Sequence, residues 1–411
     1  MKVRYGICPV VAVSLVLIQV LPSVVAAQEV SGIYTDATTK NLGAITKVDL
    51  FKGIKFRGWV EGYYEENFNR PNRHTVDENQ SLSGVKATDL TIEGRTFDVH
   101  RNTFTLSLAE IEIEKVPERG GAGFKLDIAG GDVQEILVNT INGASPNSVS
   151  DFDKLFQHAS ISYLAPVGSG LRLDFGKFVT HIGGETIESI KNRNFSHTYY
   201  YTYGIPFSDV GLRANYAFNS QIYGEAYLLN GWNVTTDNNN AKTIGLSLGW
   251  TPRADFSLYA NYLGGPERND NDHDWRHLGD FQVIYLPTAA LQTMLNVDIG
   301  SDRNAVGKGQ NATWAGGTVY ARMNVDDRFF PTGRIEYYND PQGFTTAVAQ
   351  HVWSYTLTGD YKLGRKNDFA HLLLRPEVRY DRSNVPFFTN RDTFRSDKQQ
   401  LTAGFGLVAY F

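Results

Sequence analysis

The sequence predicts an all-β fold: a closed antiparallel transmembrane β-barrel of about 16 strands, with short periplasmic turns and long outer loops. Three observations point there. Short runs alternate between apolar and charged residues with a period of two. The connections between these runs alternate between short and long. The chain also stops on Phe411, inside such a run, LTAGFGLVAYF.

The amino-terminal end sets the compartment. MKVRYGICPVVAVSLVLIQVLPSVVAAQEV places Lys2 and Arg4 before an apolar run from about Val10 to Leu21. Val25 and Ala27 then supply small residues before Gln28, the form of a secretory signal peptide over 1–27. Cys8 is the only cysteine, so an exported chain starting at Gln28 has no thiol for a disulfide or a metal. That fits a bacterial envelope better than a disulfide-stapled secreted domain. Without Lys2 and Arg4 the 39 basic residues fall by two, to 37, against 44 acidic ones. The net charge is then −7, with no basic excess that would mark a nucleic-acid partner. No later stretch approaches the roughly 18 uncharged apolar residues of a membrane helix. A chain of this composition would cross lipid only as a closed barrel, because lipid tolerates no unpaired strand edge.

Residues 28–53 read as a short lead-in and 54–411 as the barrel. The first strand is IKFRGWVEGYY. In FKLDIAG, Phe124, Leu126 and Ile128 oppose Lys125 and Asp127; in LRLDFG, Leu171, Leu173 and Phe175 oppose Arg172 and Asp174. HLLLRPEVRYD sets Leu372, Leu374, Val378 and Tyr380 on one face and Arg375, Glu377, Arg379 and Asp381 on the other. One strand conflicts with itself. In NTFTLSLAEIEIEKV, Phe104, Leu106 and Leu108 share parity with Glu110, Glu112 and Glu114, which requires a bulge near Leu108–Ala109 or a strand projecting beyond the membrane.

The short connections are 117–121, 166–170, 218–221, 251–255, 287–290, 324–328 and 364–368. The long ones are about 65–95, 136–152, 181–206, 232–240, 265–274, 301–311, 341–349 and 382–397. Eight long and seven short connections need sixteen strands, or about 24 residues per strand and connection. An even number puts both barrel ends on the side of the short turns. Phe405, Leu407, Ala409 and Phe411 then share the lipid-facing parity of the closing strand, and a terminal aromatic is similar to the signature that outer-membrane assembly machinery recognises.

The segment DFGKFVTHIGGETIESIKNRNFSHTYYYTYGIPFSDVGLRANY carries a resemblance to the OmpL-like beta-barrel porin-2 family of outer-membrane porins. It rests on Gly176, Lys177, Phe178, Thr180, Gly183 or Gly184, and Glu185, then the Tyr-rich stretch Asn192 to Tyr203, then Pro206–Phe207 and Gly211. Asp209 stands where the family often has a histidine. The resemblance implies passive diffusion across the bacterial outer membrane and leaves the solute open.

A barrel of this size encloses an aqueous lumen. The inward parity carries Arg57, Glu61, Lys125, Asp127, Arg172, Asp174, Arg213, Arg276, Asp280, Arg322, Arg334, Glu336, Arg375, Glu377, Arg379 and Asp381. Charges of both signs on one wall solvate and stiffen any hydrated barrel, and when clustered they filter solutes at a constriction. The long third connection, 181–206, is similar to the enlarged third loop that narrows general porins. It contributes Glu185, Glu188, Lys191 and Arg193 with His181 and His197. Tyr199, Tyr200, Tyr201 and Tyr203 would brace it against the wall or sit in an interfacial aromatic belt.

Other chemistries are weaker. His158 and Ser160 share a face without a third residue that would complete a catalytic site, so no enzyme is expected. NDNDHD (269–274) lacks the spacing of a calcium loop, and no metal or cofactor is implied. The expected function is a porin for small hydrophilic solutes or ions, in contact with outer-membrane lipid and lipopolysaccharide. A substrate-selective channel, or a structural or adhesive barrel with a blocked lumen, are the alternatives. A homotrimer, common among sixteen-strand porins, and a monomer both fit.

Overall fold

The computed structural model describes residues 53–70, 92–140, 155–364, 370–390 and 395–411. The expected signal peptide, and all of the lead-in except Gly53, lie outside the described residues. So does most of the first long connection. No described helix is long and apolar enough to cross a membrane, and strands do the crossing.

Fifteen strands follow in order: β1 (Ile54–Asn67), β2 (Phe104–Lys115), β3 (Ala122–Gly130), β4 (Phe156–Ala165), β5 (Leu171–Val179), β6 (Ser208–Ala217), β7 (Ile222–Leu229) and β8 (Thr243–Arg253). The series continues with β9 (Phe256–Pro266), β10 (Trp275–Thr288), β11 (Leu291–Gly307), β12 (Gln310–Met323), β13 (Phe329–Asp340), β14 (Gln350–Leu363) and β15 (His371–Ser383). A two-stranded hairpin, β16 (Phe388–Asn390) and β17 (Arg395–Asp397), then precedes β18 (Gln399–Tyr410). Each barrel strand pairs antiparallel with its neighbours, and β18 pairs with both β15 and β1 to close sixteen strands. Among the described residues one short α-helix, α1 (Asp132–Thr140), follows β3.

Period-two patterning places the side chains. On β14, Trp353, Tyr355 and Leu357 point outward while Ser354, Thr356, Thr358 and Asp360 are buried inside. Closure removes every edge within the barrel, so each strand finds ladder partners on both sides. At the seam, Phe411 N–H donates to Gly58 O at 2.9 Å and Gly58 N–H donates back at 3.3 Å. A Cβ on Gly58 would meet the Phe411 ring and lie 3.2 Å from Glu110 O. Gly58→Val is therefore expected to destabilise closure by about 1–3 kcal/mol through overpacking. The check is a lower temperature for loss of heat-modifiable migration.

The conflict within β2 resolves as a bulge. Glu61 pairs with Leu108 but Gly62 pairs with Leu106, so Ser107 is the extra residue, one place before the expected position. The shift leaves Phe104 and Leu106 outward, 80% and 60% exposed, and turns Leu108, Glu110, Glu112 and Glu114 inward. One connection differs from expectation. Residues 301–311 are mostly strand, with β11 running to Gly307, β12 starting at Gln310 and a register break between Asp302 and Gly307. At 382–397, a small hairpin occupies the long connection.

Candidate functional site

The connection between β5 and β6, residues 180–207, has little regular structure of its own: a 3₁₀ turn at Ser189–Lys191 and a π-helical turn at Tyr200–Gly204. Asn192 stiffens it locally, accepting from Thr186 N–H at 2.8 Å and donating to Thr186 O at 2.7 Å. Most of its buried backbone N–H and C=O groups need partners from elsewhere, because an unpaired buried polar group is costly. Those partners are inward-facing side chains of the barrel wall.

β15 shows the arrangement most clearly. Arg375 donates to Ser189 O and to Asn192 O, the latter at 2.8 Å. Two residues on, Glu377 accepts from Phe195 N–H at 2.8 Å and Ser196 N–H at 3.2 Å. Two further on, Arg379 donates to His197 O at 2.5 Å. Alternating cations and anions on the strand thus meet carbonyls and amides of the connection in chain order.

Other strands complete the cradle. On β1, Glu61 accepts from Ser189 and Ile190 N–H at 3.3 and 3.2 Å. On β13, Arg334 donates to Ser196 O at 2.5 Å and to Glu185 at 3.0 Å, while Glu336 accepts from Tyr200 N–H at 3.2 Å. Glu185 also accepts from Tyr320 on β12 at 2.9 Å and from Thr198 N–H at 2.9 Å. Asn296 on β11 takes Gly184 N–H at 2.6 Å, and Trp314 on β12 donates to Gly204 O at 3.0 Å. Glu188 accepts from Lys191 and from Gln157 on β4, each at 3.0 Å. The Arg193 guanidinium lies 5.5 Å from the Tyr320 ring.

The wall is cut away where the connection's aromatics dock. A Cβ on Gly406 would strike the Phe195 ring, and one on Gly316 would lie 2.6 Å from Tyr200 Cβ. Tyr199, Tyr200 and Tyr201 are wholly buried in a cluster with Phe97, Phe207, Trp314 and Tyr338 and with Val133, Ile136 and Leu137 of α1. Of the two positions open to these tyrosines, they occupy the bracing one. The described end of the first long connection joins them: Thr96 and Thr202 share a hydroxyl hydrogen bond, and Arg95 binds Asp98 at 2.6 Å and Thr402 at 2.6 Å.

Electrostatics follow burial. Burial pushes His181 down to about 4, against the pull of the Tyr262 carbonyl, so its ring is neutral at pH 7 where it stacks on Tyr227 at 4.2 Å. Burial raises Glu93 to about 7, against hydrogen bonds from Thr389. For Glu188 burial works upward, but Lys191, a backbone hydrogen bond and Lys125 outweigh it and hold the carboxyl below its ordinary value.

Of the residues singled out from sequence, Glu61, Glu185, Glu188, Arg334, Glu336, Arg375, Glu377 and Arg379 meet along the inward connection. Arg172, Asp174 and Arg213 form a separate ladder within the wall, in which Asp174 bridges Arg172 at 2.8 Å and Arg213 at 2.9 Å. Arg57 pairs with Glu112 on the neighbouring strand at 2.6 Å. Sequence reasoning missed Asp360, which binds Arg375 at 2.7 Å and Arg322 at 2.8 Å, although its inward parity in SYTLTGD was available. It also missed Asn296 and Trp314, uncharged residues that only the fold brings to the connection.

The family described as "Putative beta-barrel porin-2, OmpL-like" matches residues 53–411. Among solved structures, the outer membrane channel DcaP of Acinetobacter baumannii is similar in fold, with 11% identity and a TM-score of 0.53 over 87% of this chain and 96% of that one. The anion-selective porin from Comamonas acidovorans has 8% identity and a TM-score of 0.51 over 87% and 99%. OprB of Pseudomonas putida has 12% identity and a TM-score of 0.50 over 88% and 95%. No curated protein matches the chain.

Proposed function

The chain belongs to the OmpL-like beta-barrel porin-2 family of outer-membrane channels, and we propose that it passes small hydrophilic solutes or ions by passive diffusion through a charge-lined lumen narrowed by residues 181–206. Family membership supports transport rather than catalysis. The observation that carries the finer reading is the cradle: wall side chains from β1, β11, β12, β13 and β15 hold the backbone of that connection across the interior, and those of β4 and β14 hold its side chains at Glu188 and Asn194. A segment held this way reduces the open section and sets it by side-chain geometry.

The charge arrangement favours a general diffusion pore over an arginine-lined selective track. Arg334, Arg375 and Arg379 are at most 1% exposed, and each is committed to a carboxylate and to loop carbonyls. Cations so engaged contribute little to a continuous anion path, so ion preference is expected to be modest. The same burial also suits a blocked lumen, in which the barrel would serve a structural role. A signal peptide over 1–27, a Gram-negative envelope, delivery by the barrel-assembly machinery and a trimeric state belong to the same reading.

The test is single-channel current from the purified protein in a planar bilayer over a series of salt concentrations. Discrete ohmic steps with a small reversal potential are expected, and steps in threes would indicate a trimer. A folded, heat-modifiable barrel that passes no current would sink the proposal in favour of the structural role.

A further inference from the structure

We propose that Glu110, Asp127 and Glu188 bind one divalent cation of the calcium or magnesium class, which ties the inward connection to the wall. The site is independent of whether the barrel conducts. Glu110 on β2 and Asp127 on β3 are diagonal neighbours on the inner face, because Glu112 pairs with Asp127 and Glu110 pairs with Ala129. Glu188 reaches them from the connection. Each of the three offers a carboxylate oxygen, and these oxygens lie within 4.8 Å of one another. Calcium–oxygen bonds of about 2.3–2.6 Å place opposite oxygens of one shell about 5 Å apart, so this spacing suits a shared ion. Water in the lumen would fill the remaining positions.

A second observation points to a ligand. Glu110 is 3% exposed, yet both of its carboxylate oxygens lack a hydrogen-bond partner among the described residues. Asp127, a residue 1% exposed, has Oδ1 without one as well. None of the local cations pairs with Glu110 among the described residues. Arg57 holds Glu112 at 2.6 Å, and Lys125 lies between Glu112 at 3.4 Å and Asp127 Oδ2 at 3.5 Å. Lys191 holds Glu188 at 3.0 Å and reaches Glu112 at 3.8 Å. Four carboxylates thus share three cations among the described residues, and Glu110 is the carboxylate that none of them pairs with. An all-oxygen donor set selects hard cations over zinc or copper.

The test uses the full-length protein, folded in detergent and stripped with EDTA. Calcium is titrated by calorimetry and manganese, as a spectroscopic stand-in, by electron paramagnetic resonance. One site per chain is expected. It should be lost in Glu110→Gln and in Glu188→Gln, and kept in Asp272→Asn, a control in an acidic outer connection. Heat-modifiable migration of each variant confirms that the barrel has folded, so that loss of binding reports the site. Absence of a stoichiometric site for either ion, or binding unchanged in Glu110→Gln, would overturn the proposal.

Discussion

Replacing Arg375 and Arg379 together by glutamine is expected to raise single-channel conductance several-fold in a barrel that still folds. Both guanidinium groups are fully buried, and both bind the connection at carbonyls, Arg375 at Ser189 and Asn192 and Arg379 at His197. Glutamine keeps one donor on a shorter stem, too short to reach the same carbonyls. Removing one member of a buried pair costs about 3–5 kcal/mol when the other charge is stranded. Here the stranded acids retain other partners: Asp360 keeps Arg322 at 2.8 Å, and Asp381 keeps Arg95 at 3.9 Å. The expected loss is therefore concentrated in the docking of the connection and leaves the strand ladder standing. With Glu377 as the one remaining tie to β15 named above, residues 189–197 would sample positions farther from the wall and widen the path. Because two positive charges are gone while Glu377 and Asp381 remain, the reversal potential should also move toward cations. Salt should weaken that second effect, since screening lengths fall to about 8 Å at physiological ionic strength. Unchanged conductance would show that the two arginines do not hold the constriction.

How much of this was legible in the sequence depends on the range of the contact. Strand parity is local, and it correctly assigned inner and outer faces on β3, β5, β15 and β18. The conflict in β2 was visible as a clash between Leu108 and Glu110, but only pairing with Glu61 and Gly62 identifies Ser107 as the extra residue. The alternating charges of β15 were legible as a polar wall expected to neutralise its neighbours. That reading holds for Arg375 with Asp360. It misses the larger commitment of Arg375 and Glu377 to backbone groups more than 180 residues away in sequence. No periodicity encodes such a pairing. Loop polarity misled at 301–311, where Asp302, Arg303 and Asn304 lie on β11, which runs on to Gly307. Residues 306–311 are exposed, and an exposed hairpin end needs no apolar face, so its composition is that of a loop.

Excising Ile187–His197 and joining the ends through two glycines is expected to produce the largest conductance of any variant. The barrel should tolerate the excision. β5 and β6 pair over nine positions from Leu171 to Val179, and Thr180 N–H bonds Phe207 O at 3.0 Å across the base of the connection. The charged wall left behind retains its own pairs, Arg375 with Asp360 and Arg379 with Asp381, and water entering the lumen would solvate the groups that had faced backbone. The excision also separates two accounts of the arginines. If Arg375 and Arg379 limit current by holding the connection, replacing them in the excised barrel should leave conductance almost unchanged, a strong departure from additivity. Their effect on reversal potential should survive, because wall charge acts on ions whether or not the connection is present. If instead the arginines limit current directly as wall charges, both effects should persist at full size after excision. Conductance and selectivity measured on the four members of that cycle therefore assign docking and filtering to the same residues by separate readouts.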